Sequence, residues 1–427
     1  MEDHSNFHKL ISVSKGIDSG NHESFSCAIL AGRVKCWGRN LNGQLGQEHV
    51  NNVGDVSNQM GSNLPPIELD NTRAVSISSG YAHSCALFEN GKIKCWGQND
   101  YGQLGYEDTD NRGDMMNNKM GENLPYVDLG GLEAVQVSVG FYHSCALLKN
   151  RKVKCWGRAG TGQLGYENLD QLGDGSGEMG GNLPEVDLGD ELVYQLVAGG
   201  NHNCVILQSK KIKCWGNNLQ GQLGYEDSAE RGDDPNEMGD NLPYVDLGED
   251  EKALLLSASP YHTCALLEQG KIKCWGFNSG GQLGQGHSTA IIGDTSGQMG
   301  DNLAFTNVSE EKVIDLTTGT SFTCALLESQ NIKCWGNGGA GKLGYENTNT
   351  LGTSSSHMGS NLNFVNVGTG LTVQEVRASY SHTCALLSND SVKCWGGNNY
   401  GQLGQGNMTN LGESTGQMGD ALLAISL

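Results

Sequence analysis

Cysteine is the residue type whose spacing most directly suggests chemistry in this chain of 427 residues. The 14 cysteines form two series, and every member of the second series begins the tripeptide Cys-Trp-Gly. Each cysteine of the first series lies nine or ten positions before one of the second. The resulting pairs are Cys27 and Cys36, Cys85 and Cys95, Cys145 and Cys155, Cys204 and Cys214, Cys264 and Cys274, Cys324 and Cys334, and Cys384 and Cys394. Such regular pairs can form disulfides, ligate a metal or fill small buried gaps.

Strand register favours disulfides among these roles. If residues 89–91 form a three-residue hairpin turn with glycine in the left-handed position, Cys85 faces Cys95 across the hairpin. In the first copy the turn shortens to residues 31–32, and the two cysteines still face each other. Directly opposed residues of antiparallel strands have Cα atoms about 4.5–5.5 Å apart, which a disulfide can span. We therefore predict seven disulfides, with buried free thiols as the alternative. A zinc site is disfavoured because two cysteines per copy leave the ligand shell incomplete.

Histidine also recurs in phase with the cysteines, two residues before the first member of a pair. It occupies this position in five copies, at His83, His143, His202, His262 and His382. A ring of histidines can bind a metal or titrate near neutral pH. Phe25 and Phe322 replace it in the other two copies, which indicates packing. We predict that these histidines hydrogen-bond the preceding bend of the chain.

Carboxylates cluster in the polar loop that follows each Gly-Gln-Leu-Gly segment. The candidates for calcium ligation are Glu107, Asp108, Asp110, Asp114, Glu226, Asp227 and Asp233. Calcium takes six to eight oxygen ligands from clusters of this kind. No copy has the spacing of a known calcium loop, and the fifth and sixth copies lose several acids. We predict a solvated acidic rim and no cofactor, with calcium as the alternative.

The repeat that carries these residues also predicts the fold. The Cys-Trp-Gly tripeptides recur every 59 or 60 residues and contain all seven tryptophans. In the second copy, residues 74–78, 85–88, 92–96 and 125–129 read as short strands bounded by Gly and Asn. Seven four-stranded units predict an all-β protein, a seven-bladed β-propeller with four-stranded blades. The tryptophans are expected to anchor the core. Seven loop methionines are expected to fold back into apolar gaps; they are Met60, Met120, Met179, Met238, Met299, Met358 and Met418.

The two ends of the sequence predict how the ring closes. Residues 9–14 resemble the first strand of later copies, and residues 422–427 resemble residues 124–129. We expect strands from both termini to complete one blade, because such a closed ring has no open sheet edge. An open solenoid would need polar capping repeats. Residues 1–427 are therefore predicted to form a single domain.

Three patterns resemble the regulator-of-chromosome-condensation repeat family. They are Gly80-Tyr-Ala-His83-Ser-Cys85-Ala-Leu87, Cys95-Trp96-Gly97 and Gly102-Gln-Leu-Gly105. The resemblance covers essentially the whole chain and implies a seven-bladed propeller. Since the family serves unrelated purposes on one scaffold, it implies no single function. Its founding member is a guanine-nucleotide exchange factor with a β-wedge and a basic tail, and this sequence shows neither.

Composition and motifs narrow the function further. The formal net charge of −21 argues against nucleic acid or anionic membranes as partners, and no apolar run is long enough to span a membrane. No phosphate-binding loop, nucleophile elbow or single Ser/His/Asp set departs from the repeat, so no enzyme is predicted. We predict a non-enzymatic scaffold that presents acidic loops to a protein partner. The alternatives are an exchange factor for a small GTPase and a secreted inhibitor-type propeller.

Signals for the compartment conflict. Paired cysteines favour an extracellular or other oxidising setting, and three glycosylation-type motifs at Asn307, Asn389 and Asn407 point the same way. The first residues show no signal peptide, which favours the cytoplasm. The sequence leaves the compartment and the oligomeric state open.

Overall fold

A computed structural model describes residues 10–15, 24–69, 71–114 and 119–427. Within these residues the strands form seven antiparallel sheets, each built from one copy of the repeat, which confirms an all-β protein with seven blades. The strands are β1 (Ile11–Val13), β2 (Phe25–Leu30) and β3 (Arg33–Gly38) in blade one; β4 (Ala74–Ser79), β5 (His83–Phe88) and β6 (Ile93–Gly97) in blade two; β7 (Ala134–Val139), β8 (His143–Leu148) and β9 (Val153–Gly157) in blade three; β10 (Val193–Ala198), β11 (His202–Leu207) and β12 (Ile212–Gly216) in blade four; β13 (Ala253–Ala258), β14 (His262–Leu267), β15 (Ile272–Phe277) and β16 (Ile291–Ile292) in blade five; β17 (Val313–Thr318), β18 (Phe322–Leu327) and β19 (Ile332–Gly336) in blade six; and β20 (Val373–Ala378), β21 (His382–Leu387) and β22 (Val392–Gly396) in blade seven.

Helical structure in the described residues is limited to single 3₁₀ turns in the loops. These turns are Gly61–Asn63, Gly121–Asn123, Gly239–Asn241, Gly300–Asn302, Gly339–Gly341, Ser355–His357, Gly359–Asn361 and Gly419–Ala421. No helix in the described part of the chain has the length and apolar character needed to cross a membrane.

The hairpin between the second and third strands has the predicted register. Cys85 lies opposite Cys95, and Gly91 adopts the left-handed conformation with φ of 73°. In blade one the two-residue turn places Ala31 and Gly32 at positive φ, and the cysteines of that blade again face each other. A change of one residue in loop length is therefore absorbed entirely by the turn.

The predicted fourth strand of each blade is much reduced. Among the described residues only blade five has a fourth strand, and β16 is not the predicted segment: it is two residues long and pairs with Gly276 and Phe277, at the position that Arg112 occupies in blade two. Elsewhere the outer edge of the third strand is covered in pieces. In blade two the amide of Val127 donates to the carbonyl of Ile93 at 2.8 Å, and Arg112 exchanges two backbone hydrogen bonds with the glycine that ends β6. Between them the Tyr106 hydroxyl bonds the N–H and the C=O of the strand's cysteine at 2.8 and 2.9 Å. Because these groups pair the edge, a continuous fourth strand is not required.

The prediction that both termini share one blade is wrong. The amide of Ile425 donates to the carbonyl of Val392, so residues near the C-terminus cover the outer edge of blade seven. Blade one has its own outer segment, in which the amide of Ile67 donates to Val34. The physical reason is that every outer segment follows the third strand of the same copy, so each copy completes its own blade.

Blades seven and one instead meet through side chains and single backbone contacts. The Glu375 carboxylate accepts hydrogen bonds from the amides of Leu10 and Ile11, at 3.2 and 3.4 Å. Arg377 lies 3.0 Å from Glu375 and 3.0 Å from Asp315 of blade six. This triad links three consecutive blades at the inner end of the sheets.

The tryptophans anchor the joints between blades as predicted. All seven are fully buried. Six of them donate their indole N–H to a carbonyl oxygen in the Gly-Gln-Leu-Gly turn of the preceding blade, at 2.9–3.1 Å; they are Trp37, Trp96, Trp156, Trp215, Trp275 and Trp335. Six of the loop methionines are buried in the hydrophobic clusters, and Met60 is partly buried against one of them, which agrees with their predicted role.

Candidate functional site

The seven cysteine pairs lie at disulfide distance, in the pairing predicted from the hairpin register. Their sulfur atoms are 1.95–2.10 Å apart, and all 14 side chains are fully buried. They lie in the hydrophobic clusters within and between blades, away from the loops. Their oxidation in the native setting remains our proposal.

The five histidines bridge neighbouring blades rather than gather at one point. Each Nε2 lies at hydrogen-bond distance from a side chain of the next blade; the pairs are His83 with Ser144 (3.1 Å), His143 with Asn203 (3.1 Å), His202 with Thr263 (3.0 Å), His262 with Thr323 (3.0 Å) and His382 with Ser26 (2.7 Å). Burial lowers the pKa of His262 to about 3 and that of His143 to about 4, so both are neutral at pH 7. The predicted side-chain hydrogen bond to the preceding bend is present in two copies, where Nδ1 of His262 and of His382 lies 2.7 Å from the hydroxyl of Ser259 and of Ser379. The contact with the next blade, which all five histidines make, was not predicted.

The two glutamates proposed for calcium reach across to the next blade. Glu107 accepts hydrogen bonds from the amides of Gly177 and Met179, both at 2.9 Å, and these bonds lower its pKa. Glu226 accepts one from the amide of Met299 at 2.8 Å. Both glutamates have positive φ, of 59° and 60°, which turns the carboxylate toward the neighbouring loop.

The candidate aspartates also have protein partners. Asp108 pairs with Arg112 at 2.7 Å, and Asp227 pairs with Arg231 at 2.6 Å. Asp110 contacts Lys119, and Asp114 lies beside Gly43 of the preceding blade. The remaining candidate, Asp233, is partly buried, which raises its pKa. Across the described residues, no three His, Cys, Asp or Glu side chains come together in a way that could hold a metal ion.

A ring of lysines is the main interior feature that the sequence argument missed. Each lies directly before the second cysteine of a pair: Lys35, Lys94, Lys154, Lys213, Lys273, Lys333 and Lys393. Lys213 is typical, since its Nζ donates to the carbonyls of Leu188 and Gly239 at 3.0 and 2.8 Å and burial lowers its pKa. A lysine at a core register position in all seven copies was the signal that could have revealed this role.

The central channel contains a cavity of about 360 Å³ lined by the first strands of the blades. Lys15 reaches into it and donates to the carbonyls of Val139, at 2.7 Å, and Ala198. The charged triad of Asp315, Glu375 and Arg377 lines the same space. These groups are engaged with each other or with backbone, and they do not form a nucleophile and base pair.

One end of the ring is formed by two kinds of loop, and we call it the upper face. The first kind is the bend between the first and second strands, and the second is the turn after the third strand. They are joined by hydrogen bonds such as that from the amide of Gln98 to the carbonyl of Ala82, at 2.9 Å. Leu41 and Leu219, in two of the turns, are 56% and 62% exposed. Large apolar side chains thus reach solvent from a rigid frame.

Aromatic rings concentrate on the upper face at blades two and three. Tyr142 lies 5.3 Å from Tyr101 and 5.5 Å from Tyr81, and Phe141 lies 6.1 Å from Tyr81. Tyr81 and Phe141 are buried, whereas Tyr101 and Tyr142 are partly exposed. The Arg158 guanidinium lies 5.2 Å from the Tyr101 ring centroid. A supported cluster with exposed aromatic edges and a cation is typical of surfaces that bind other molecules.

Seven antiparallel sheets, one from each copy of the repeat, define a β-propeller. Models of the regulator of chromosome condensation (RCC1) repeat match residues 31–87 and 90–147 in one form and residues 74–103, 134–163, 193–222, 255–282 and 373–402 in another. The chain belongs to the RCC1 repeat family.

Curated relatives share this repeat at moderate identity. The ultraviolet-B receptor UVR8 of Arabidopsis thaliana is 27% identical over 371 residues, covering 75% of this chain and 77% of the receptor. The protein pim1 of Schizosaccharomyces pombe is 27% identical over 361 residues, covering 80% and 62%. The probable E3 ubiquitin-protein ligase HERC4 of Homo sapiens is 27% identical over 364 residues, covering 73% and 31%. The match therefore spans less than two thirds of pim1 and of HERC4.

Solved structures support the fold. Human WBSCR16 superposes with a TM-score of 0.64 at 19% identity, covering 88% of this chain and 90% of that one. Prp20p of Saccharomyces cerevisiae superposes with a TM-score of 0.63 at 17% identity, covering 87% and 80%. At such identities the likeness extends to the architecture alone.

Proposed function

We propose that this chain is a non-enzymatic protein-binding scaffold whose partner docks on the upper face. The observation that carries the proposal is the combination of exposed leucines and a supported aromatic cluster on loops held rigidly by the blades. Apolar and aromatic groups at the centre of a patch contribute most of the binding energy in protein interfaces. We expect the acidic loops to border this face, since the backbone nitrogen of Asp174 lies directly against Gly102 of the neighbouring turn.

The structural relatives support a protein as the partner. Prp20p was crystallised in a study of its binding to Gsp1p and histones, and yeast RCC1 (Prp20) was crystallised with Kap60 bound. Prp20, a propeller of the same architecture, thus binds other proteins. The two alternatives, an exchange factor and a secreted inhibitor, are narrower forms of the same proposal, and each would need a specific partner.

The test is partner capture with variants of the upper face. The full chain, immobilised by a terminal tag, is exposed to extract from its native source, and retained proteins are quantified by mass spectrometry. We expect Leu41→Glu and Leu219→Glu to reduce retention of a specific partner at least tenfold, because a charge introduced where the partner covers an apolar side chain must be desolvated. Leu423→Glu is the matched control, since Leu423 is 66% exposed on the outer edge of blade seven. Equal loss with all three variants, or with none, would contradict docking on the upper face.

A further inference from the structure

The upper face carries the same arginine–tyrosine arrangement twice. Arg158 follows the third strand of blade three and lies 5.2 Å from the ring centroid of Tyr101 in blade two and 5.8 Å from that of Tyr142. Arg39 has the same repeat position in blade one and lies 4.6 Å over the ring of Tyr400 in blade seven. Both arginines directly follow Cys-Trp-Gly, and both turn tyrosines directly precede Gly-Gln-Leu-Gly. The recurrence shows that the geometry comes from the repeat.

Arg158 is the member of this arrangement that is open to a ligand. Its side chain is partly exposed and makes no ion pair with any described residue, whereas Arg39 is only 8% exposed. The backbone amide of Arg158 donates to the carbonyl of Tyr142 at 2.9 Å, which fixes the base of the side chain. A guanidinium held against two rings loses little conformational entropy on binding, and its planar set of donors fits a carboxylate.

The charges of the upper face differ in sign from those of the whole chain. Its described bends and turns, with the residues directly flanking them, carry four cations, Lys15, Arg39, Arg158 and Lys342, and one carboxylate, Asp100. Their formal charge is therefore +3, while that of the whole chain is −21. Asp18 and Glu23 of the first bend lie outside the described residues. A positively charged face on an otherwise acidic chain directs an anionic segment to that face.

We infer that the partner of this scaffold is an acidic protein segment that pairs a carboxylate with Arg158. An apolar side chain of that segment then covers the exposed edges of Tyr101 and Tyr142. The inference rests on the proposed scaffold function and specifies its partner by chemistry. A carboxylate is favoured over a cationic group as the ligand because the Arg158 guanidinium, stacked on the two tyrosine rings, is itself positively charged.

Binding of labelled peptides tests this inference directly. The probes are fluorescein-labelled twelve-residue peptides with one Phe and either five Glu, five Gln or five Lys, titrated with the full chain at low and at moderate salt. We expect the Glu peptide to bind at least tenfold more tightly than the other two and to lose affinity as salt rises. We expect Arg158→Gln to weaken its binding about tenfold, since one charge-assisted pair is lost.

The control for Arg158→Gln is Arg33→Gln, because Arg33 is exposed at a hairpin turn on the opposite face. We expect that variant to bind within twofold of the native chain, and a thermal melt verifies that both variants are folded. Arg158→Lys keeps the charge but loses the planar fork, so it should bind with intermediate affinity. Equal affinity of the Glu and Gln peptides, or equal weakening by the two arginine variants, would overturn the inference. If partner capture still depends on Leu41 and Leu219 in that case, the scaffold function stands without the acidic partner.

Discussion

The five buried histidines are neutral hydrogen-bonding residues, and their lowered pKa values reduce the stability of the fold at low pH. The five buried histidines have pKa values lowered to about 3 or 4, mainly by burial, while unfolded histidine titrates near 6.5. Between these values the unfolded chain takes up protons and the folded chain does not. Stability is therefore complete above pH 6.5 and falls as the pH drops toward the folded values.

We predict an acid-sensitive fold whose sensitivity decreases when one histidine is replaced. At pH 5 each histidine should account for about 2 kcal/mol of lost stability. His262→Phe copies blade six, where Phe322 is buried at the same position. Urea unfolding from pH 7.5 to pH 5 should show a shallower decline for this variant, by about one proton. His287→Phe is the control, since His287 is exposed, and a change equal to that of His262→Phe would refute the explanation.

The sequence was sufficient for residues whose partner is set by strand register. The facing cysteines followed from turn length, and the buried tryptophans followed from their recurrence in phase. The sequence was insufficient to predict the partners of the acidic residues, because Glu107 accepts hydrogen bonds from a loop some 70 residues further along the chain. Contacts between blades depend on how loops of adjacent copies pack, and no local pattern encodes that distance. The pairing of Arg158 with Tyr101 was missed for the same reason.

Among the elements, the first strand of blade one is held by a charged side chain of another blade. The Glu375 carboxylate accepts hydrogen bonds from the amide of Ile11 in β1 and from that of Leu10 just before it. The side chains of Gln136 and Gln195 accept one backbone hydrogen bond each from the first strand of the following blade. Blade five has Leu255 at the corresponding position. The charged residue Glu375 therefore departs from the pattern of the repeat, at the joint where blade seven meets blade one.

We predict that removing this acceptor loosens β1 selectively. In Glu375→Leu the amides of Leu10 and Ile11 lose their partner, so hydrogen exchange of residues 10–13 should accelerate at least tenfold. Glu375→Gln keeps an acceptor and leaves Arg377 paired with Asp315, so its exchange should stay close to that of the native chain. Exchange measured by mass spectrometry on the full chain distinguishes these outcomes. Unchanged exchange in Glu375→Leu would show that β1 is held by other contacts.

The outer segments show why element prediction partly failed. Residues 125–129 have a strand-like pattern, but only the Val127 amide pairs with β6, because the Tyr106 hydroxyl already occupies the next site on that edge. The alternation of apolar and polar residues does not reveal that a tyrosine hydroxyl pairs with the backbone groups of a strand edge. The error over ring closure has a different source, since the segment near Ile425 covers the third strand of its own copy and not that of blade one.

For the whole molecule, we propose that oxidation of the cysteine pairs stabilises the ring. Each pair closes a loop of only nine or ten residues, so each bridge would contribute about 2–3 kcal/mol by restricting the unfolded chain. We predict no alkylatable thiols in denatured, unreduced protein from the native source, and 14 after reduction. Reduction should also lower the urea midpoint. Detection of 14 thiols without reductant would refute the disulfides and favour a reducing compartment.

A consequence for how this protein diversifies lies in the joint between blades. The side chains at this joint bind backbone atoms. Indole N–H groups and Ser or Thr hydroxyls donate to a backbone carbonyl in the turn of the preceding blade. Thr383 makes this bond to the carbonyl of Lys342, which replaces the glutamine of the other turns. A carbonyl is present whatever the side chain. The exposed turn positions, such as Leu41 and Leu219, can therefore vary without disturbing these hydrogen bonds, much as antibody loops vary on a constant framework. Duplication of blades followed by free variation of the turns would generate new specificities while leaving the ring intact.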